Sequence, residues 1–227
     1  MSVPSVAEAR EIQLQLRERI RFAPPSSFEP RWVAGADVAF DKSRKLAFAA
    51  VVVLDLESLE TVETATAVEP IVFPYIPGYL SFRELPVLAA AWHDLRRQPD
   101  VAVFDAHGYA HPRRFGLASH AGLEFGVSAV GCAKSILCGT VGELSLERGA
   151  RAPLVDPKSR EELGCALRTR RGVRPVYLSV GHLMNLSTAT DLILRLTPGG
   201  RYRFPETTRR ADRLAADLKQ SPGDPVS

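Results

Sequence analysis

The chain has 227 residues, 45% of them hydrophobic and 24% charged, and a formal net charge of +3. That length allows one large domain or two small ones, and the composition excludes a disordered, collagenous or coiled-coil protein. Three cysteines with no CxxC pair exclude a disulfide-rich secreted scaffold and a cysteine-only zinc site, and point to a reducing compartment.

The charge is unevenly spread. Residues 1–150 hold 15 Lys+Arg against 18 Asp+Glu, whereas residues 151–227 hold 14 against 8, so the last third is basic. Of the 29 cations 24 are arginine, the better fork for phosphate, although a GC-rich codon bias explains the same excess. The N-terminus lacks a basic segment followed by a long apolar one, so it is not a signal peptide. The longest apolar run, Leu46 to Leu54, is strand-like and far short of the ~20 residues a membrane span requires. A soluble, cytoplasmic protein is expected, with a monomer as the default state.

Ile12, Leu16 and Ile20 recur at helical spacing and predict a helix over residues 5–22, ended by Pro24-Pro25. Three Val/Ala-rich runs at residues 32–40, 46–56 and 61–73 read as an antiparallel meander. Proline and glycine then mark a loop at residues 74–78. A helix follows to about Arg97, with Leu88, Ala91, Trp92 and Leu95 on one face. Residues 101–104 form a continuous apolar run, typical of a strand buried on both faces. Further helices are expected near residues 118–125, 187–196 and 207–218, and strands near 129–132, 166–169 and 176–180. Residues 221–227 read as a frayed tail. No repeat or long linker divides the chain, so residues 1–227 are expected to form one α/β domain with a mixed sheet.

Three acids stand where a solvated surface is an uncomfortable reading. Asp37 interrupts the apolar run of residues 33–40, Asp105 closes the buried strand, and Glu84 follows the Pro/Gly loop. A carboxylate in such a place is costly unless a cation or donors compensate it. Magnesium is such a cation, served by a few carboxylates plus waters and phosphate oxygens. The rival readings are a turn cap for Asp37, a helix cap or loop residue for Asp105, and a capping box Ser81-x-x-Glu84. Pro86 argues against that box, since it would fall where a helix needs a backbone donor; the helix is expected to start at Arg83 or later, freeing Glu84.

His107 and His111 have a zinc-like spacing, but Gly108 and Pro112 disfavour the helix that would align them. His111 fits better as a partner of phosphate or of metal-bound water. Lys134 follows a short strand, either as a surface lysine or as a phosphate contact. Gly131-x-x-Lys134-Ser135 lacks the spacing of a nucleotide-binding phosphate loop. No G-x-S-x-G elbow or dinucleotide-binding glycine pattern is present.

Six segments together resemble the endonuclease V family of deoxyinosine-directed repair nucleases. They are VAGADV at 33–38, FPYIPGYLSFRE at 73–84, DAHGYAHPRRFGLASH at 105–120, GCAKS at 131–135, SVGH at 179–182 and YRFPETTRRAD at 202–212. The resemblance implies a ribonuclease-H-like fold, a mixed central sheet flanked by helices, in one catalytic domain. It also implies Mg²⁺-dependent hydrolysis of the second phosphodiester 3′ to a deoxyinosine, with Mn²⁺ able to substitute, leaving a 3′-hydroxyl and a 5′-phosphate. By the same resemblance Asp37 and Asp105 are metal ligands, completed by Asp212, and Glu84 is the catalytic glutamate with a possible metal role. Lys134 and His111 fall on active-site positions. Tyr75 falls on the wedge that fills the gap left by a turned-out base, and Gly78, Leu80 and Gly108 fall on the base pocket. Ala106 stands where glycine is usual, Asn185 where aspartate is frequent, and Thr207 where proline is usual. Expected partners are single- or double-stranded DNA containing deoxyinosine, and possible ones include inosine-containing RNA. A related nuclease for branched DNA and a non-catalytic lesion-binding module remain as alternatives.

Overall fold

The computed structural model describes residues 3–220; the expected tail at 221–227 lies outside the described residues. Nine strands form one sheet in the order β3-β2-β1-β4-β5-β9-β8-β7-β6. The meander is β1 (Trp32–Asp41), β2 (Leu46–Asp55) and β3 (Thr61–Pro70), paired antiparallel. Beside β1 run β4 (Val101–Phe104) and β5 (Ser128–Ala133), both parallel to it. The far half is antiparallel: β9 (Val176–His182), β8 (Glu162–Leu167), β7 (Arg151–Val155) and β6 (Thr140–Val141). This is the mixed sheet with flanking helices that the sequence pattern implies.

Strand alternation sorts the core into two layers. Ala34, Ala36, Ala102, Phe104 and Ala129 face α2 (Leu80–His93) and α3 (Leu117–Phe125), which contribute Leu88, Ala91, Trp92, Ala118 and Ala121. On the opposite face Val33, Val101, Val103 and Val130 pack with Ala189, Leu192 and Ile193 of α4 (Leu186–Arg195). Ala211 of α5 (Glu206–Gln220) packs on Val52 and Leu54 of that same face. Gly35 lets α5 approach: a Cβ there would lie 2.3 Å from the Thr207 carbonyl carbon.

Several local expectations need correction. The first helix, α1 (Val6–Leu16), ends in a 3₁₀ turn at Arg17–Arg19, short of Ile20. Its fully buried residues are Ala9 and Gln13; of the expected stripe Ile12 and Leu16 are only partly buried, and Ile20, though buried, lies beyond the helix. Helix α2 starts at Leu80, not at Arg83 or later, and carries Pro86 inside it. The lost hydrogen bond and ring clash cost about 3 kcal/mol, which burial of Leu85, Val87, Leu88, Ala91 and Trp92 outweighs. Tyr79 is the N-cap, so the Ser81–Glu84 box does not form and Glu84 is free of capping. The same signature does form at Ser5–Glu8, where both reciprocal bonds are present. β3 ends at Pro70 rather than Phe73, β8 spans residues 162–167 rather than 166–169, and β6 and β7 were not expected at all. Pro153 inside β7 and the two-residue length of β6 hide both from a periodicity reading.

Candidate active site

Parallel pairing places the two central acids side by side. Ala36 is in register with Phe104, so Asp37 and Asp105 each stand one residue beyond that pair. Adjacent strands are about 4.8 Å apart, and β4 ends at Phe104. Asp105 therefore sits where the strand gives way to a loop. Both carboxyls are only partly exposed, and α5 brings the exposed Asp212 over the same face. Gly35 and Ala211 make that approach possible, because each lets α5 lie directly on the sheet.

The acids disfavour one another's charge. Burial, then repulsion by Asp105 and Asp212, pushes the Asp37 carboxyl up to about 7 despite Lys134 nearby. Glu84, on the first turns of α2, is pushed up to about 8 by burial and by Asp37 and Asp105, with Arg83 opposing. Arg83 itself is fixed, donating to the Phe73 carbonyl at 2.7 Å and lying 4.3 Å from the Phe40 ring centroid. Asp105 is also raised, by burial first, even though Lys134 Nζ is ion-paired to its Oδ2. Lys134 is in turn held from behind: Arg203 donates to its carbonyl at 2.7 Å and to the Pro175 carbonyl at 2.8 Å. Asp37, Asp105, Asp212 and Lys134 thus fall within one another's electrostatic reach, and Glu84 within reach of Asp37 and Asp105.

The donor set is hard oxygen, anionic and poorly compensated, which suits a hard divalent cation such as Mg²⁺ or Mn²⁺. Among the described residues no three Asp, Glu, His or Cys side chains are gathered closely enough to hold a metal ion. His107 and His111 lie in an irregular segment between β4 and α3, so they share no helix face.

A cleft of about 340 Å³ opens beside Asp105 and Lys134. Its walls include Gly78, Leu80, His107 and Leu117, and Tyr75 stands on its rim with 70% of its surface exposed. Gly78 has φ of +82°, a conformation that favours glycine. Its carbonyl accepts from Gln13 Nε2 at 3.1 Å, His111 Nε2 at 3.0 Å and Arg113 Nη2 at 2.5 Å. His111 Nδ1 accepts from the Arg113 backbone N–H at 3.1 Å, so both ring nitrogens are engaged by the chain. Burial and Arg113 lower the His111 pKa to about 4, keeping the ring neutral. Gly108 does not line the cleft; its N–H donates to Ser179 Oγ at 2.9 Å, and a Cβ would strike the Val180 carbonyl. The structure therefore brings together Asp37, Glu84, Asp105, Lys134 and Asp212, sets Tyr75, Gly78 and Leu80 round the adjoining cleft, and leaves Gly108 behind its wall.

The family model described as Endonuclease V matches residues 14–213 of this chain. The chain belongs to the endonuclease V family. Endonuclease V from Myxococcus xanthus (strain DK1622) is 50% identical over 218 residues, 96% of this chain and 91% of that relative. The crystal structure of endonuclease V from Streptomyces avermitilis superposes with a TM-score of 0.89 at 43% identity, covering 97% of this chain and 98% of that one. Endonuclease V from Ciona intestinalis, solved in complex with a 24mer DNA containing an inosine followed by a ribo-adenosine, gives a TM-score of 0.78 at 28% identity. It covers 95% of this chain and 98% of that one. The family is one of nucleases, and the ribonuclease-H-like α/β fold is that of its solved members. No helix among the described residues is long and apolar enough to cross a membrane.

Sequence reasoning passed over Gln13, Arg113 and Arg203. Gln13 had one visible signal, a polar residue four positions after Ala9 on what proves to be the buried helix face. Arg113 and Arg203 lie inside matched segments but act on backbone carbonyls, which no motif of side chains reveals.

Proposed function

We propose that this chain is a metal-dependent repair endonuclease that cuts DNA at the second phosphodiester 3′ to a deoxyinosine. The observation that carries this reading is the placement of Asp37 and Asp105 one residue beyond the Ala36–Phe104 register pair, next to a cleft rimmed by Tyr75. Asp37 and Asp105 would hold Mg²⁺ or Mn²⁺, with Asp212 joining directly or through water and Glu84 as a further ligand. Such an ion orients a water for attack and neutralises charge on the phosphate.

The remaining work falls to side chains of the chain itself. Lys134 places an ammonium beside Asp105, where it can offset charge on the attacked phosphate. Glu84, whose carboxyl is pushed up to about 8 by burial and the neighbouring acids, can accept or return a proton. Water oxygen adds to phosphorus as the P–O3′ bond breaks, giving a 3′-hydroxyl and a 5′-phosphate. Tyr75 is exposed and apolar enough to fill the stack when the lesion base leaves it. The turned-out base would enter the cleft against Gly78, Leu80 and Ala106. His111 acts on the loop rather than on phosphate, since both its nitrogens are taken.

A second reading, inosine in RNA, draws on the ribo-adenosine in the DNA bound to the Ciona intestinalis relative. Only the 2′-hydroxyl separates the two substrates. Competition between matched deoxyinosine and inosine oligonucleotides, with Mg²⁺ and with a chelator, tests both. Metal-dependent cutting of the DNA strand supports the first reading, preferential cutting of RNA supports the second, and tight binding without cutting overturns both.

A further inference from the structure

The cleft is braced by a residue that the chemistry above does not use. Gln13 is 1% exposed and lines the cleft, although it comes from α1 at the start of the chain. Its amide nitrogen donates to the Gly78 and Phe115 carbonyls, both at 3.1 Å, and its amide oxygen accepts from Arg113 Nε at 2.5 Å. Three of its four hydrogen-bonding capacities are thereby used inside the fold. The same helix sets Ala9 and Ile12 against Phe73, Ile76, Tyr79 and Phe82. Helix α1 therefore rests on the loop bearing Tyr75 and on the first turn of α2. Its apolar contacts fall on residues 73–82, and its polar ones tie Gly78 in that stretch to Arg113 and Phe115.

Gly78 shows what this achieves. An oxygen with two lone pairs takes three donors, from Gln13, His111 and Arg113, and is saturated. A ligand cannot then donate to it, and its direction is fixed from three sides. Arg113 is itself tied down, by Gln13 Oε1 and by stacking 4.2 Å over the Tyr79 ring.

We propose that Gln13 is a positioning residue for the base cleft, setting the height of the 74–79 loop so that Tyr75 and the cleft wall meet the substrate in register. This rests on the nuclease reading above. Gln13→Glu keeps the size and turns donors into oxygen facing two carbonyls; Gln13→Ala removes the group altogether. The first measurement is hydrogen exchange on the free protein without substrate. Amides of residues 75–82 should exchange about tenfold faster in both variants, while those of β2 hold the wild-type rate. The second is steady-state cleavage of a deoxyinosine strand, where KM should rise about tenfold with kcat within about threefold and the Mg²⁺ midpoint unmoved. Wild-type exchange in the loop, equal loosening of β2, or a loss confined to kcat overturns the proposal. If the wild-type protein cuts no deoxyinosine strand, the nuclease reading fails, and the exchange experiment still decides the brace.

Discussion

Replacing Asp37 by asparagine should make the metal-free protein more stable near neutral pH while removing its activity. The Asp37 carboxyl moves from 3.8 to about 7 on folding, so in that interval the folded chain holds a proton that the unfolded chain has lost. Stability contributed by this group is fully present below the unfolded value and is lost as pH rises through the folded one. Each unit is worth about 1.4 kcal/mol, so ionising Asp37 within the fold costs on the order of 4 kcal/mol. Glu84, raised to about 8, and Asp105, also raised, act with the same sign. Lys134 is the cation that offsets them, and Asp212 adds to the repulsion. An amide in place of Asp37 should recover roughly half or more of that cost, a gain of about 2–4 kcal/mol; for a chain of this size that is roughly 5–10 °C in melting temperature. The assay is thermal unfolding in chelator between about pH 4 and pH 8. The gain should be largest at the upper end and should shrink towards the lower, where the folded carboxyl stays protonated and the unfolded one approaches its own pKa of 3.8. Adding Mg²⁺ should stabilise the wild type more than the variant. A variant no more stable than the wild type near pH 8, or a gain independent of pH, would refute the electrostatic reasoning.

Lys134→Met removes the partner of Asp105 and should lower cleavage about a hundredfold while raising the Asp105 carboxyl further, read as a rate–pH profile displaced to higher pH. Gly35→Ala forces a Cβ against Thr207 and should destabilise the protein by about 1–3 kcal/mol, with activity lost as α5 and Asp212 are displaced; denaturant melts and cleavage measured together check this. Tyr75→Ala should alter stability by less than about 0.5 kcal/mol, because the ring is exposed. The same variant should lose more activity on duplex than on single-stranded substrate, since only the duplex has a stack to refill.

The acids were legible in the sequence because each breaks an apolar pattern: Asp37 within one strand, Asp105 at the end of another. The meander and the buried strand β4 were legible for the same reason, a strong run of Val and Ala between polar turns. Glu84 was freed of capping by an argument that misplaced its helix. A proline rule is local, whereas burial of Leu85, Leu88 and Trp92 against the sheet is not. The first helix shows the same limit, since its isoleucine stripe is weaker evidence than the partner it packs on. His111 was expected to meet phosphate, and only coordinates show both its nitrogens engaged by Gly78 and Arg113. Side chains that grip backbone carbonyls across 65 or 69 residues of sequence, as Gln13 and Arg203 do, leave no pattern to read.

Asp37 and Asp105 are proposed as the heart of a metal-dependent nuclease centre. The most direct test of that role is to map the products from a duplex with a single deoxyinosine, in Mg²⁺, for the wild type and Asp105→Asn. The wild type should leave one nick at the second phosphodiester 3′ to the lesion, with 3′-hydroxyl and 5′-phosphate ends, and the variant should leave none. No nick by the wild type, or equal nicking by Asp105→Asn, would contradict that role.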